Sequence, residues 1–321
     1  MAGATGGPNA AQIQVNGFSN NRLPPKEAIR EIRINMNPFS AANEYPGYGG
    51  IEIYTNPGTD QFHGGLSFDF SDESLNSRNP FAPVRAPYQN RSYTANLSGP
   101  VLPKRASFSF YFNRYAGDSN SIVNATTLNP VTLEPERYNQ TFVTPSVSTY
   151  GNIRFDLKIN QKHTLVANYN FDGNAQDLQG IGVFSLPSRV FDGRRRGHVL
   201  QMTETAVINE KVVNETRFQL MSNSFRQTSE GTAPALEVLE SFSGGSSPAG
   251  SSLNKDFRLE LQNFTSWSLK RHFLKFGARF RQANIESVAP VNFFGTYIFA
   301  GGTAPLLIPP ANCSPALMEK L

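Results

Sequence analysis

The sequence predicts a mainly β protein, an antiparallel transmembrane β-barrel of which this chain supplies part, with a small α/β segment before it. One observation is the alternation of polar and apolar residues, which is clearest in Val147–Ile159 and Phe257–Leu269. A second is that short turns, such as Asn160–Lys162, alternate with long polar loops. Transmembrane barrels have both features, with short periplasmic turns and longer external loops. The sheet must close in hydrocarbon, because lipid offers the backbone no hydrogen-bond partner.

The composition agrees with this class. The 321 residues include 25 Phe, 26 Gly and 22 Pro, as expected for a loop-rich β protein. No run of about 18 apolar residues is present, so the sequence contains no candidate transmembrane helix. Cys313 is the single cysteine, which excludes a disulfide framework. The net charge of +4 is small and dispersed, so nucleic acid is not an expected partner.

The first 62 residues have a different pattern from the rest. Lys26–Arg33 is compatible with a short helix, and Ile51–Thr55 is compatible with a strand. Gly47, Gly49 and Gly50 lie between them and predict a tight turn that needs positive φ. This segment is expected to form a small mixed α/β unit.

From residue 63 onward the pattern predicts about nine strands and a possible tenth at Asn292–Phe299. Alternation with a period of two is the signal, because successive side chains of a strand point to opposite faces. The nine are Leu66–Phe70, Ser92–Leu97, Ser107–Phe112, Val147–Ile159, His163–Phe171, the ambiguous Val199–Ile208, Val212–Phe225, Phe257–Leu269 and Leu274–Phe280.

The connections between these strands fall into two classes. The short ones are Pro100–Ala106, Asn160–Lys162, Asn209–Lys211 and Lys270–Arg271. The long ones, expected to be irregular, are about Asp72–Asn90, Gly117–Pro145, Gly173–Gly197 and Gln227–Lys255. Strict alternation places all the long connections at one end of the barrel, the external end.

Several ordered segments resemble the end of the plug domain and the start of the barrel of TonB-dependent receptors, in particular the Oar-like branch. The plug segments are Ala28–Ile34, Ala42–Tyr45, Gly49–Thr55 and Gly58–Gly64, and the barrel segments are Arg78–Phe81, Asn90–Tyr93, Leu97–Pro100 and Ser107–Tyr111. The resemblance implies that residues 1–62 are the C-terminal part of a plug and residues 63–321 the N-terminal part of an outer-membrane barrel.

The resemblance also implies a function and partners. Such receptors bind a small ligand and take it up across the outer membrane with energy from a TonB-type protein. Outer-membrane lipid and lipopolysaccharide are the implied surroundings. The ligand class stays open between an oligosaccharide, a peptide and a metal chelate. No cofactor is expected.

The resemblance further implies that the chain is a fragment. Plugged transporters have about 22 strands, and a barrel of about ten is too narrow to enclose a folded segment. The N-terminus also lacks a cationic start followed by an apolar run, which is the pattern of a secretory signal. The chain is therefore expected to begin downstream of its natural start and to be truncated at both ends.

Charged residues on the polar faces of the strands are the candidate site. If the barrel is plugged, they face the plug across a wet interface, and otherwise they only line the lumen. They are Arg154, Asp156, Lys158, Glu215, Arg217, Arg258, Glu260, Arg279 and Arg281. A further triplet, Arg194, Arg195 and Arg196, lies at the end of a predicted external loop. It could bind lipopolysaccharide phosphates or be solvated loop charge.

No catalytic or metal-binding set is present in the sequence. The four histidines are scattered, and no nucleophile elbow or phosphate loop occurs. The chain is therefore not expected to be an enzyme. Two alternatives stay open beside the receptor: a structural or adhesive outer-membrane barrel without transport, and a soluble all-β carbohydrate-binding module.

Overall fold

The computed structural model describes residues 12–19, 23–24, 26–35, 50–75, 77, 85 and 87–300. The described chain forms a four-stranded N-terminal sheet, a nine-stranded antiparallel sheet and a three-stranded sheet.

The N-terminal sheet has the strand order β2-β1-β4-β3. Its strands are β1 (Gln12–Val15), β2 (Phe18–Ser19), β3 (Ile29–Asn35) and β4 (Gly50–Thr55). The central pair, β1 and β4, is parallel, and the two outer pairs are antiparallel. Val15, Phe18 and Ile53 are buried and supply its apolar core.

The nine-stranded sheet is a meander, because its strands pair in the order in which they follow one another along the chain. Its strands are β5 (His63–Asp72), β6 (Gln89–Leu102), β7 (Ala106–Leu128), β8 (Pro135–Lys158), β9 (His163–Gln179), β10 (Phe191–Asn209), β11 (Val212–Thr228), β14 (Ser252–Ser268) and β15 (Phe273–Val288). All nine strands predicted from alternation are present, including the one that was ambiguous. Within the described residues, β5 and β15 each keep one unpaired edge.

The two faces of this sheet have the burial pattern of a membrane protein. Leu261 is 45% exposed, whereas its neighbour Gln262 is 0% exposed. Other apolar side chains on the outward face, the apolar face, are exposed as well, among them Leu66, Phe68, Leu97, Phe155, Phe276 and Phe280. On the opposite face, the polar face, Gln201, Gln219 and Glu260 are buried. A sheet that exposes its apolar side chains and buries its polar ones is unfavourable in water and favourable in lipid.

Two predicted loops are mostly strand, so the predictions of an irregular Gly117–Pro145 and an irregular Gly173–Gly197 were wrong. β9 runs to Gln179 and β10 begins at Phe191, which leaves only 180–190 as their connection. β7 and β8 stay paired as far as Leu128 and Pro135, which leaves only 129–134 as a turn. Thr and Val are frequent in Gly117–Pro145, and these residues favour extended backbone. Val123 is fully buried there, because the segment around Val183 pairs with it.

The third sheet is built from other external connections. It consists of β12 (Ala235–Val238), β13 (Phe242–Gly244) and β16 (Thr296–Phe299), with β12 in the centre. The possible tenth strand at Asn292–Phe299 is therefore not part of the large sheet. Only Thr296–Phe299 is extended, and it pairs with β12 in parallel.

The prediction of a helix at Lys26–Arg33 was also wrong. Lys26–Ala28 forms a 3₁₀ turn, and Ile29 begins strand β3. Ile29, Ile32 and Ile34 are β-branched, and pairing with β4 outweighs the helical spacing of the first two. Of the predicted glycine turn, Gly50 is the first residue of β4, while Gly47 and Gly49 lie outside the described residues.

Candidate functional site

The N-terminal sheet contacts the polar face of the nine-stranded sheet, and Arg154 is at the centre of this contact. Its guanidinium donates from Nη1 to Thr55 Oγ1 at 2.7 Å and to the Thr55 carbonyl oxygen at 3.2 Å. The same group binds Asp156 with two bonds, Nε–Oδ2 at 2.9 Å and Nη2–Oδ1 at 2.6 Å. The Arg154 side chain is only 11% exposed. A fork of this kind fixes the guanidinium, so it presents its remaining donors to β4 in one orientation.

The segment that leaves β4 continues the contact. Asp156 Oδ2 accepts a hydrogen bond from the Gly58 backbone N–H at 3.2 Å. Thr59 Oγ1 donates to the Gln61 carbonyl oxygen at 2.6 Å and lies 3.1 Å from the Ser98 hydroxyl of β6. Asp156 and Ser98 therefore hold the chain between the two sheets against the polar face.

Arg217 makes a second contact, on β11. Its Nη1 donates to the Gly17 carbonyl oxygen at 3.0 Å, and its Nε is paired with Glu215. Gly17 has φ +82°, in the turn between β1 and β2. Glu215 thus fixes Arg217, and Arg217 binds the turn at Gly17, just as Asp156 fixes Arg154 and Arg154 binds Thr55. We call the two sets, Arg154 with Asp156 and Arg217 with Glu215, the arginine clasps.

Asn16 links the two halves of the N-terminal sheet beneath the clasps, and sequence reasoning missed it. Its Oδ1 accepts from the Thr55 backbone N–H at 3.0 Å, and its Nδ2 donates to Thr55 Oγ1 at 3.0 Å. Asn16 has φ +52°, a conformation that asparagine tolerates better than most residues. The Asn-Gly dipeptide before Phe18 was the available signal, because it marks a tight turn.

A row of amide side chains crosses four strands of the polar face, and it was also missed. Asn152 Nδ2 donates to Asn168 Oδ1 at 2.7 Å, and Asn168 Nδ2 donates to Gln201 Oε1 at 3.4 Å. Gln201 Nε2 then donates to Gln219 Oε1 at 2.7 Å. The partners satisfy one another, which allows uncharged polar groups to be buried here. A narrow crevice between this row and the N-terminal sheet is lined by Asn152, Asn168, Val15 and Thr55, among others.

The remaining predicted inward charges lie elsewhere on the polar face. Arg279 and Arg281 of β15 both pair with Glu260, at 3.3 and 3.2 Å. Arg258 pairs with Asp256 at 2.8 Å. Lys158 is exposed next to the turn after β8. Of the nine predicted residues, the structure thus places Arg154 and Arg217 in contact with the N-terminal sheet and Asp156 in contact with the segment that leaves β4, and Glu215 supports Arg217.

The arginine triplet is not at the end of a loop, and its three side chains do not act together. All three residues belong to β10, so their side chains alternate between the faces. Arg194 and Arg196 are exposed on the outward face, where Arg194 pairs with Asp177. Arg195 is on the polar face, with its Nε 3.7 Å from Asp172 Oδ2.

Comparison with known proteins identifies the large sheet. The profile of the family described as outer membrane beta barrel domain matches residues 119–306, more than half of the chain. The chain belongs to this family. It is therefore an outer-membrane protein, and its nine-stranded sheet is part of a β-barrel wall, with the polar face toward the lumen. No curated protein matches the sequence.

Solved structures with the same fold are outer-membrane transporters and receptors. The outer membrane transporter YddB from Escherichia coli is 10% identical, with a TM-score of 0.55 over 87% of this chain and 40% of that one. A mutant of the ferric enterobactin receptor PfeA from Pseudomonas aeruginosa is 16% identical, with a TM-score of 0.54 over 86% and 41%. This chain thus spans about two fifths of their length, 40% and 41% respectively, and the likeness is one of fold.

Charged groups also line the strands β3 and β4 of the N-terminal sheet. Arg30 and Arg33 donate to Glu31, and the hydrogen bond from Arg30 contributes most to holding the pKa of that carboxyl below its ordinary value. Burial, and then the hydrogen bond to Glu52, raises the pKa of the Tyr54 hydroxyl. The Tyr54 hydroxyl donates to Glu52 Oε2 at 2.8 Å.

The part of the chain that the structure describes contains no helix long and apolar enough to span a membrane. Among the same residues, no group of three or more His, Cys, Asp and Glu side chains is placed to hold a metal ion.

Replacing Gly58 by alanine is expected to loosen the N-terminal sheet. A Cβ at residue 58 would lie 2.6 Å from Ser107 Cβ and 2.7 Å from the Phe108 backbone nitrogen, so the segment must move away from β7. Overpacking of this kind costs about 1–3 kcal/mol. Hydrogen exchange of β4 amides should accelerate, whereas Gly151→Ala, where a Cβ meets nothing within 4 Å, should leave it unchanged. Equal exchange in both variants would contradict the contact.

Proposed function

We propose that this chain is part of a TonB-dependent outer-membrane receptor, in which residues 1–62 belong to the plug and residues 63–321 to the barrel. The receptor binds a small ligand from outside and admits it when the plug moves. The observation that carries the proposal is the attachment of the N-terminal sheet to the lumen face by the arginine clasps. In this proposal the receptor acts by binding and transport and not by catalysis.

The clasps are suited to release under force. The direct contacts are hydrogen bonds from single arginine side chains to a carbonyl or hydroxyl oxygen, and each contributes about 0.5–3 kcal/mol net. The strands of the barrel, in contrast, are joined by continuous ladders such as the 16 residue pairs between β11 and β14. A pull on the N-terminal segment would therefore break the clasps before it opened the wall.

The partners follow from this arrangement. A TonB-type protein would supply the pull from the periplasmic side. On the outward face, Arg194 and Arg196 are exposed near the start of β10 and could bind lipopolysaccharide phosphates. The segments Ala28–Ile34 and Gly49–Thr55 support assignment to the Oar-like branch.

The alternatives have less support. A soluble carbohydrate-binding module would not expose a band of Leu and Phe on one sheet face while it buries glutamines on the other. A barrel without transport would need no segment attached inside the lumen by separate polar contacts. We therefore keep the structural or adhesive barrel only as an outcome of the test.

Energy coupling is the direct test. Cells that express the receptor gene would be given radiolabelled ferric enterobactin, maltohexaose and tetra-alanine, with and without a functional TonB-type protein. We expect uptake of one probe to fall at least tenfold when the coupling protein is deleted, because the plug is then not displaced. Uptake that is insensitive to the deletion, or no uptake above that of cells without the receptor gene, would overturn the proposal.

A further inference from the structure

We infer that the ligand is a neutral, polyhydroxylated molecule of the oligosaccharide class, and that it binds the lumen face of β6, β7, β8 and β9. This inference rests on the proposed function and specifies its ligand. The surface consists of the inward side chains in Asn90–Ser98, Ser107–Gly117, Ser146–Asn152 and Thr164–Gln176, which we call the neutral wall. Its residues are Asn, Gln, Ser, Thr, Tyr, Gly and a single Val, and Asp172 is its one charged member. Its inner part borders the N-terminal sheet at Tyr150, Asn152 and Asn168, and Ser98 contacts the segment that leaves β4.

The neutral wall has the groups that a sugar requires. Tyr111 and Tyr150 lie side by side, with ring centroids 6.0 Å apart and planes at 55°. Tyrosine presents an apolar ring and a polar hydroxyl together, which matches the CH faces and hydroxyls of a pyranose. Around them, Tyr150 donates to Asn170 Oδ1 at 3.1 Å, and Asn113 Nδ2 donates to Thr94 Oγ1 at 2.9 Å. Amides and hydroxyls both donate and accept, as sugar hydroxyls do.

The distribution of charge argues against an anionic ligand. Recognition of carboxylate, catecholate or phosphate oxygens calls for arginine or lysine that is available to the ligand. The neutral wall itself contains no lysine or arginine, and the arginines on the rest of the lumen face are neutralised by the chain itself. Arg154 binds Asp156, Arg217 binds Glu215, and Glu260 is shared by two arginines of β15.

A peptide ligand fits less well for a different reason. Specific peptide binding uses apolar pockets for side chains or charged groups for the chain ends. In the neutral wall, Val166 is the only aliphatic inward side chain larger than glycine, and the polar groups form a broad field with no apolar pocket. A field of this kind suits a chain of repeated hydroxylated units.

Calorimetric titration of the detergent-purified receptor tests the ligand class. The neutral probes are maltohexaose, cellohexaose and xylohexaose, and the other probes are ferric enterobactin and tetra-alanine. We expect at least one neutral oligosaccharide to bind with an affinity that salt does not change, because no ion pair forms. Tyr150→Ala should weaken binding about three- to tenfold, which is the range for loss of one aromatic contact. Tyr150→Phe should retain most of it.

The control is Tyr138→Ala, which removes a tyrosine from the external β7–β8 hairpin, away from the neutral wall. Failure of all three oligosaccharides to bind at millimolar concentration, or equal effects of the two alanine variants, would overturn the inference. If ferric enterobactin or tetra-alanine bound instead and showed coupled uptake, the ligand class would be wrong and the receptor function would stand. If an oligosaccharide bound but its uptake did not depend on the coupling protein, the ligand class would be right and the energy-coupled receptor function would be wrong.

Discussion

Replacing Leu97 by arginine is expected to block assembly of the barrel in the outer membrane, whereas the same replacement of its neighbour Asn96 is expected to be tolerated. Leu97 is on the apolar face of β6 and 44% exposed, so it contacts lipid. Arginine on the lipid face of a barrel costs about 2–4 kcal/mol near the middle of the bilayer. That is a large part of the 5–15 kcal/mol by which proteins are typically stable.

Asn96 is the matched control because it precedes Leu97 on the same strand and is also exposed, but toward the lumen. Each variant would be followed by heat-modifiable mobility of the folded barrel in outer-membrane fractions. We expect little folded Leu97→Arg and a normal amount of Asn96→Arg. Equal yields would mean that the faces of β6 have been assigned wrongly, and with them the position of the lumen.

The strands and their faces could be predicted from sequence because they depend on a local property. A period of two in side-chain polarity is readable wherever one face contacts lipid and the other water. For this reason Phe257–Leu269 was placed correctly, and Leu261 and Gln262 lie on opposite faces as expected. The helix predicted at Lys26–Arg33 was wrong because the spacing of Ile29 and Ile32 fits a helix as well as a strand. Only pairing with β4 decides between helix and strand.

The contacts of the candidate site depend on distant pairings, which one sequence does not contain. Arg154 and Thr55 are 99 positions apart, and Arg217 and Gly17 are 200 positions apart. The sequence could identify Arg154 as an inward charge, but it could not predict that Arg154 contacts Thr55. The buried amides Gln201 and Gln219 were missed because uncharged side chains on a polar face look alike until the register places them side by side.

A disulfide between residues 59 and 98 is expected to abolish uptake by locking the N-terminal sheet to the barrel. The hydroxyl oxygens of Thr59 and Ser98 are 3.1 Å apart, so a Thr59→Cys, Ser98→Cys pair needs little movement to reach the disulfide bond length of about 2.05 Å. A covalent bond does not yield to a force that breaks hydrogen bonds. Uptake of the probe that shows energy coupling should fall to background when the pair is oxidised and return on reduction. Cys313 would be replaced by serine in all variants.

The matched control places a disulfide within the wall, where no relative movement is proposed. Lys255 and Glu286 are direct partners on the neighbouring strands β14 and β15, where Cβ atoms lie about 4.5–5.5 Å apart. Lys255→Cys with Glu286→Cys should oxidise without loss of uptake, because β14 and β15 stay paired throughout. The single variants Thr59→Cys and Ser98→Cys should transport normally under both conditions. Uptake that continues through the oxidised 59–98 pair would show that the ligand passes without release of the N-terminal sheet, and the arginine clasps would then be a fixed attachment.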